Sequence, residues 1–167
     1  SVLLHMVFSN REKIGKSFGV VYVDHGIQED SLGWGDFCKT QCDYYGLCFT
    51  KININEKVPK GSSIEAWARE KRYELIGQVM NKNDLLFTAH HQDDQVETFF
   101  LQALRGAGPR GLSSMPLFKD ITNAIHVRPL LNYSRSELKF YAKEKKLSWQ
   151  EDSSNTDTKF DRNYLRN

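Results

Sequence analysis

The stretch 85–112, LLFTAHHQDDQVETFFLQALRGAGPRGL, most constrains what this chain can fold into. Five uncharged residues, Leu85 through Ala89, form a short apolar run of the kind shown by buried parallel strands. His90 and His91 follow, then Asp93, Asp94 and Glu97, then the aromatic pair Phe99 and Phe100. Read as strand, turn and helix, the order sets two imidazoles at the carboxyl end of a strand. It also sets three carboxylates in the first turns of the next helix. Open α/β sheets bind their ligands at that place.

At about 100° per residue, Asp93 and Glu97 stack on one face of the helix with Asp94 beside them. Val96, Phe99, Phe100 and Ala103 gather on another stripe, which is expected to face the sheet. Acids in a first turn complement the helix dipole without any further role, and that reading stands for one or two of the three. Three acids after a His-His pair, followed by Arg105-Gly106-Ala107-Gly108, favour more than capping. A carboxylate cluster beside a flexible glycine loop suits Mg²⁺ or an ammonium group.

The flanking sequence alternates strands with helices. Residues 1–8 are apolar on nearly every side and predict a short buried helix that must pack on a sheet. Residues 18–23 predict a buried strand ending in Asp24-His25-Gly26, where Gly26 permits a sharp exit and His25 falls at the carboxyl end. Residues 31–45 carry Trp34, Phe37, Cys38 and Cys42 at helical spacing, with Gly46 as the stop. Residues 47–54 predict a third strand, and Pro59-Lys60-Gly61 a loop. Ser62 to Glu65 form a capping box opening a helix with the core stripe Ile64, Ala68, Leu75 and Val79. Residues 105–115, with glycines at 106, 108 and 111, predict a mobile loop. Residues 125–131 hold a short strand whose Pro129 confines it to an end or an edge. Ser134 to Glu137 form a second capping box, and that helix runs to about Lys145. Residues 149–167 are polar and turn-rich, then helical from Phe160. The alternation implies an α/β fold with a parallel sheet covered on both faces.

A chain of 167 residues that is 40% hydrophobic can bury a proper core. Its net charge of +2 is too balanced to imply a nucleic-acid binder by itself. Cys38, Cys42 and Cys48 form no CxxC and are odd in number, against a disulfide framework or a zinc site. They read as buried, reduced thiols of a cytosolic protein. No apolar run of about 18 residues exists, so no membrane span is expected, and the opening SVLLHMVF lacks the basic start of a signal peptide.

HHQDDQVET followed by LRGAGPRGLSSM resembles the signature of the tRNA(Ile)-lysidine synthetase family, within the PP-loop ATP pyrophosphatase superfamily. That family's pattern is roughly HHxDDQxET, then LxRGxGxxGLxxM, and the resemblance extends over essentially the whole chain. It implies a Rossmann-like PP-loop sheet of the adenine nucleotide alpha hydrolase type, with a catalytic domain at 1–131 and a helical extension at 132–167. It places Ser1 at or just beyond the end of the SGGxDS phosphate loop, so the first strand and that loop are expected upstream, roughly 10–30 residues away. A chain beginning at Ser1 is then expected neither to bind ATP tightly nor to fold well alone.

The resemblance also implies a two-step reaction. ATP adenylates the C2 carbonyl oxygen of the wobble cytidine of tRNA(Ile) with a CAU anticodon, and pyrophosphate leaves. The ε-amine of free lysine then attacks C2, and AMP leaves. By the same resemblance Asp93, Asp94, Glu97, His91 and Arg105 are catalytic, with Asp93 and Asp94 holding Mg²⁺. Glu97 binds the lysine ammonium and then accepts its proton. Ser1, Val23, His25, Gly26, His90 and Arg105 meet ATP, with His25 and Gly26 by the adenine and ribose. Ile27 and Gln28 stand where the family's HGLR has Leu and Arg. Arg69 and Arg72, in AREKRY against the family's ARxxRY, are read as facing substrate, as are Arg110, Arg162, Asn163 and Arg166. The last three lie in a segment similar to EDxSN…FxRNxxR, which leads toward further domains. ATP, Mg²⁺, free lysine and tRNA are thus the implied partners in the cytoplasm, with no membrane; a homodimer stays open. Two rivals stay open as well: a PP-loop tRNA thiolase, which the absent CxxC argues against, and an inactive nucleotide- or tRNA-binding remnant.

Overall fold

β-Branched and aromatic residues dominate the strands Gly19–Asp24 and Ala124–Val127, and the helices Ile64–Val79 and Arg135–Glu144 open on serine side-chain caps. The computed structural model describes residues 1–26, 31–121 and 123–151. Their order is α1 (Val2–Ser9), α2 (Arg11–Ile14), β1 (Gly19–Asp24), α3 (Ser31–Tyr45), β2 (Cys48–Asn53), α4 (Ile64–Val79), β3 (Asp84–Phe87), α5 (Gln92–Leu104), α6 (Pro109–Leu112), β4 (Phe118–Ile121), β5 (Ala124–Val127) and α7 (Arg135–Glu144). The expected contacts Arg162, Asn163 and Arg166, like Ile27 and Gln28, lie outside the described residues. The chain divides into two compact units, one of residues 1–6, 85–121 and 125 onward, the other of residues 7–84 with the short piece before residue 125.

In the unit centred on 7–84, β1 and β2 pair in parallel, from Gly19 opposite Cys48 to Asp24 opposite Asn53. The crossover is α3, as a parallel connection requires. Gly35 brings that helix close: a Cβ there would lie 3.2 Å from the Tyr22 ring. The helix stops where expected, with Gly46 at φ +65 and the Leu47 N–H donating to the Cys42 carbonyl at 2.9 Å. Ile54, Trp67 and Ala68 form the core, with Val23, Val58 and Leu75 packed against it. Two expectations shift here. The cap of α4 is Ser63 rather than Ser62, accepting the Ala66 N–H at 3.4 Å. The buried face is Trp67, Ala68 and Ile76, while Ile64 and Val79 are 47% exposed. With the cap one residue later, Ile64 is the first helical residue and Val79 the last, beyond the packed turns. The three cysteines are free, yet only Cys42 is buried; Cys38 is half-buried and Cys48 exposed. Burial pushes the Cys38 and Cys42 thiols up, toward the unreactive protonated form.

The other unit holds a sheet in the order β3-β5-β4. Beyond β3, the Thr88 N–H donates to the Val127 carbonyl at 3.1 Å, extending the contact with β5. Pro129 sits two residues past the end of β5, which is how that strand can be the middle one of its sheet. Met115, Val127, Leu130, Leu131 and Ala142 are buried. The Ser134–Glu137 capping box of α7 forms in both directions, at 2.8 and 3.2 Å. Residues 2–8 of α1 are half-buried rather than buried, and His5 Nδ1 meets the Tyr141 hydroxyl at 2.9 Å. Among the described residues no helix is long and apolar enough to cross a membrane.

Candidate functional site

The turn from β3 into α5 carries the histidines and acids. His91 is the N-cap of α5 in extended conformation, and its N–H donates to Asp94 Oδ2 at 2.9 Å. Asp93 Oδ2 accepts the backbone N–H of Arg135 at 2.9 Å, so this acid serves the start of α7 as well. The simple capping role therefore holds for two of the three carboxylates. His91 Nδ1 is buried without a hydrogen-bond partner, 3.6 Å from Oδ2 of each acid. Glu97, one turn on, is only 6% exposed. Among the described residues no three His, Cys, Asp or Glu side chains converge into a metal cage. Mg²⁺ does not need one, since it takes one or two carboxylates beside water and substrate phosphates. The hard-oxygen pair Asp93 and Asp94 fits that mode.

The expected sheet-facing stripe of α5 is turned outward. Val96, Phe99 and Phe100 are exposed and Leu104 is 76% exposed, while Glu97 is buried and Asp94, Gln95 and Thr98 are half-buried. The grouping by periodicity is correct; the stripe that packs is the polar one, because it carries the capping carboxylate and the hydrogen bonds of Gln95.

Those bonds build the glycine segment. Gln95 Nε2 donates to the Met115 carbonyl at 2.7 Å, and its Oε1 accepts the Met115 N–H at 2.8 Å. Between Arg105, the C-cap of α5, and this clamp lies α6, carrying exposed Arg110. Gly111 is required by close approach: a Cβ there would stand 2.7 Å from the Ala107 Cβ. The segment read as a mobile loop is thus a one-turn helix pinned at its far end.

Behind the turn lies a polar network that sequence reading missed. Thr88 Oγ1 is 2.7 Å from His90 Nδ1 and 2.7 Å from His126 Nε2. His126 Nδ1 is 3.0 Å from Arg128 Nη2, and Arg128 Nη1 donates to the Pro116 carbonyl at 2.7 Å. His126 and Arg128 are 1% and 2% exposed. A signal existed: residues two apart on a strand share a face, and IHVRPLL places a histidine and an arginine at that spacing.

In the other unit, the carboxyl end of β1 carries a second cluster. Buried Asp24 pairs with Lys51 at 3.2 Å and accepts the Gly26 N–H at 3.0 Å. Gly26 turns the chain with φ +62. Arg72 donates to His25 Nε2 from Nε at 3.2 Å and from Nη2 at 3.0 Å. A guanidinium cannot accept, so Nε2 is the acceptor and Nδ1 carries the ring proton. That Nδ1 is buried without a partner, an unspent donor. Burial first, and the Arg72 charge second, hold the His25 pKa below 6.5. The Val23 side chain belongs to the core, which leaves its backbone for any ligand. Arg69 is exposed and lies 5.5 Å from the Tyr73 ring centroid. Ser1 starts α1, its carbonyl accepting the His5 N–H at 3.0 Å.

Two comparisons with known proteins agree. The family model described as a PP-loop domain matches residues 1–167. A tRNA(Ile)-lysidine synthase of Vibrio parahaemolyticus is 43% identical over 165 residues, covering 99% of this chain and 38% of that protein. A protein of the same name from Hydrogenovibrio crunogenus is 43% identical over 155 residues, covering 90% of this chain and 37% of its own. One from Wigglesworthia glossinidia brevipalpis is 40% identical over 175 residues, covering 99% and 44%. The chain spans less than half the length of these curated relatives.

Proposed function

Because the chain belongs to the PP-loop domain family, we propose that it carries the chemistry of an ATP-dependent ligase joining free lysine to C2 of the wobble cytidine of an isoleucine tRNA with a CAU anticodon. The observation that carries this reading is identity near 40% to proteins named tRNA(Ile)-lysidine synthase along almost the entire chain. In the first step the C2 carbonyl oxygen attacks the α-phosphorus of ATP and pyrophosphate leaves. In the second, the lysine ε-amine attacks C2 and AMP leaves.

This chain's residues supply what those steps need. Arg105 offsets charge building on the leaving polyphosphate. Asp93 and Asp94 would hold Mg²⁺, which when bound neutralises phosphate charge and orients the phosphates. Buried Glu97 would bind the lysine ammonium and accept the proton it must lose before attack. His90 and His91 orient phosphate or base. At the end of β1, the His25 Nδ1–H offers a donor to an acceptor on the adenosine part of ATP, beside the Gly26 and Val23 backbone, with Ser1 on the phosphate side. Arg72 reaches ATP through His25, whereas Arg69, Arg110, Arg162, Asn163 and Arg166 serve tRNA.

The test is product analysis with ATP, Mg²⁺, lysine and tRNA(Ile). AMP and pyrophosphate should form, and lysine should enter tRNA only when all four are present. ADP and phosphate, or turnover indifferent to lysine, would reject the reading.

A further inference from the structure

We propose that Thr88 and His126, anchored by Arg128, are positioning residues that fix His90 as the tautomer protonated on Nε2, so that its outer nitrogen serves as a donor to an anionic phosphate oxygen. The inference rests on the reading of His90 as an ATP contact, and it adds the residues that decide how His90 makes that contact.

The argument is one of donors and acceptors. Arg128 has only donors, and its Nη2 lies 3.0 Å from His126 Nδ1. His126 Nδ1 must therefore accept, and the ring proton of His126 sits on Nε2. Nε2 is 2.7 Å from Thr88 Oγ1 and so donates to it. Among the described residues, the side-chain acceptor then left to the Thr88 hydroxyl proton is His90 Nδ1, also at 2.7 Å. A proton on His90 Nδ1 would instead aim two ring N–H donors at the Thr88 oxygen and leave its hydroxyl proton without either imidazole as acceptor. His90 thus keeps Nδ1 as an acceptor and carries its proton on Nε2. The direction originates at Arg128, which cannot reverse it and which, with His126, is almost closed to water, where an unmade hydrogen bond costs most; Thr88 and His90 are half-buried. Second-layer partners of this kind set ring orientation and tautomer in known histidine sites.

The experiment labels the protein with ¹⁵N-histidine and reads each ring's tautomer from long-range proton–nitrogen correlations, above the ordinary imidazole titration range. His90 is assigned by the peaks lost in His90→Gln. The unliganded protein should show His90 and His126 both protonated on Nε2. Thr88→Val should release His90 to a mixture of tautomers and lower kcat on the order of tenfold, with the KM for lysine little changed. Thr88→Ser should restore the Nε2–H signature and most of the lost turnover. His90 protonated on Nδ1 in the parent protein would overturn the proposal, and that spectrum decides even if Thr88→Val does not fold. An unchanged tautomer and kcat in a folded Thr88→Val protein would overturn it too. Absence of AMP formation alongside an Nε2–H His90 would count against the ligase reading and leave the relay standing.

Discussion

The Asp94 carboxylate accepts the His91 N–H at 2.9 Å while standing in the cluster proposed to hold Mg²⁺, so its hydrogen bond and its charge must be separated by experiment. Asp94→Asn keeps an acceptor oxygen and removes the charge. Folding stability should fall by no more than about 1 kcal/mol, the size of a first-turn dipole effect, while turnover drops at least about tenfold. Turnover and thermal midpoint measured on the same variant decide between roles; a large midpoint loss with normal turnover would make Asp94 a cap only. His25 gives a pH test. Its folded pKa lies below the ordinary 6.5, so between those two values the unfolded chain binds more protons than the folded one. Stability from this residue is complete above about pH 6.5 and declines as pH falls through that window. Each tenfold difference in proton affinity corresponds to about 1.4 kcal/mol, less where solvent screens the ring. Denaturant unfolding across that window should show the parent losing more stability than His25→Gln as pH falls. Equal slopes would mean that the His25 ring is not held neutral by its site.

α5 shows what was legible at the scale of elements and what was not. Its place after the histidines and its two stripes follow from residue order and periodicity, as do β1, α3 and β2, and the capping box of α7 follows from its local motif. Which stripe faces inward does not, because that depends on what the rest of the chain offers the helix. Here Gln95 finds the Met115 backbone and Asp94 finds His91, and the polar stripe turns in. β4 was missed because FKDI alternates weakly and lacks β-branched residues except Ile121. The spacing in IHVRPLL could have paired His126 with Arg128, but their link to Thr88 was illegible because Thr88 and His126 are 38 residues apart and meet only through sheet pairing. The Gln95 clamp makes a prediction of its own. Gln95→Ala removes both bonds to Met115 and should open the segment 105–115 to protease cleavage after Arg105 or Arg110, with a stability cost of about 1–3 kcal/mol from the orphaned backbone groups. Limited proteolysis followed by mass measurement reads the sites. Unchanged protection would show that α6 packing alone holds the segment.

With 23 basic against 21 acidic residues, these 167 residues carry almost no net charge to attract RNA. If it engages tRNA as proposed, the contacts must come from local cations, and the arginines divide by environment. Arg110 stands exposed on α6, whereas Arg72 spends two donors on His25. A phosphate contact reveals itself in salt dependence, because each one releases condensed counterions and adds roughly one to the slope of log affinity against log salt. Arg110→Gln should therefore weaken tRNA binding and reduce the magnitude of that slope by about one. Arg72→Gln should leave the slope nearly unchanged and raise the KM for ATP, since it frees the His25 ring to lose its fixed tautomer. Binding of tRNA(Ile) measured at several salt concentrations, with ATP kinetics on the same proteins, separates the two. A slope that falls for Arg72→Gln and not for Arg110→Gln would exchange the roles and put the end of β1 against RNA.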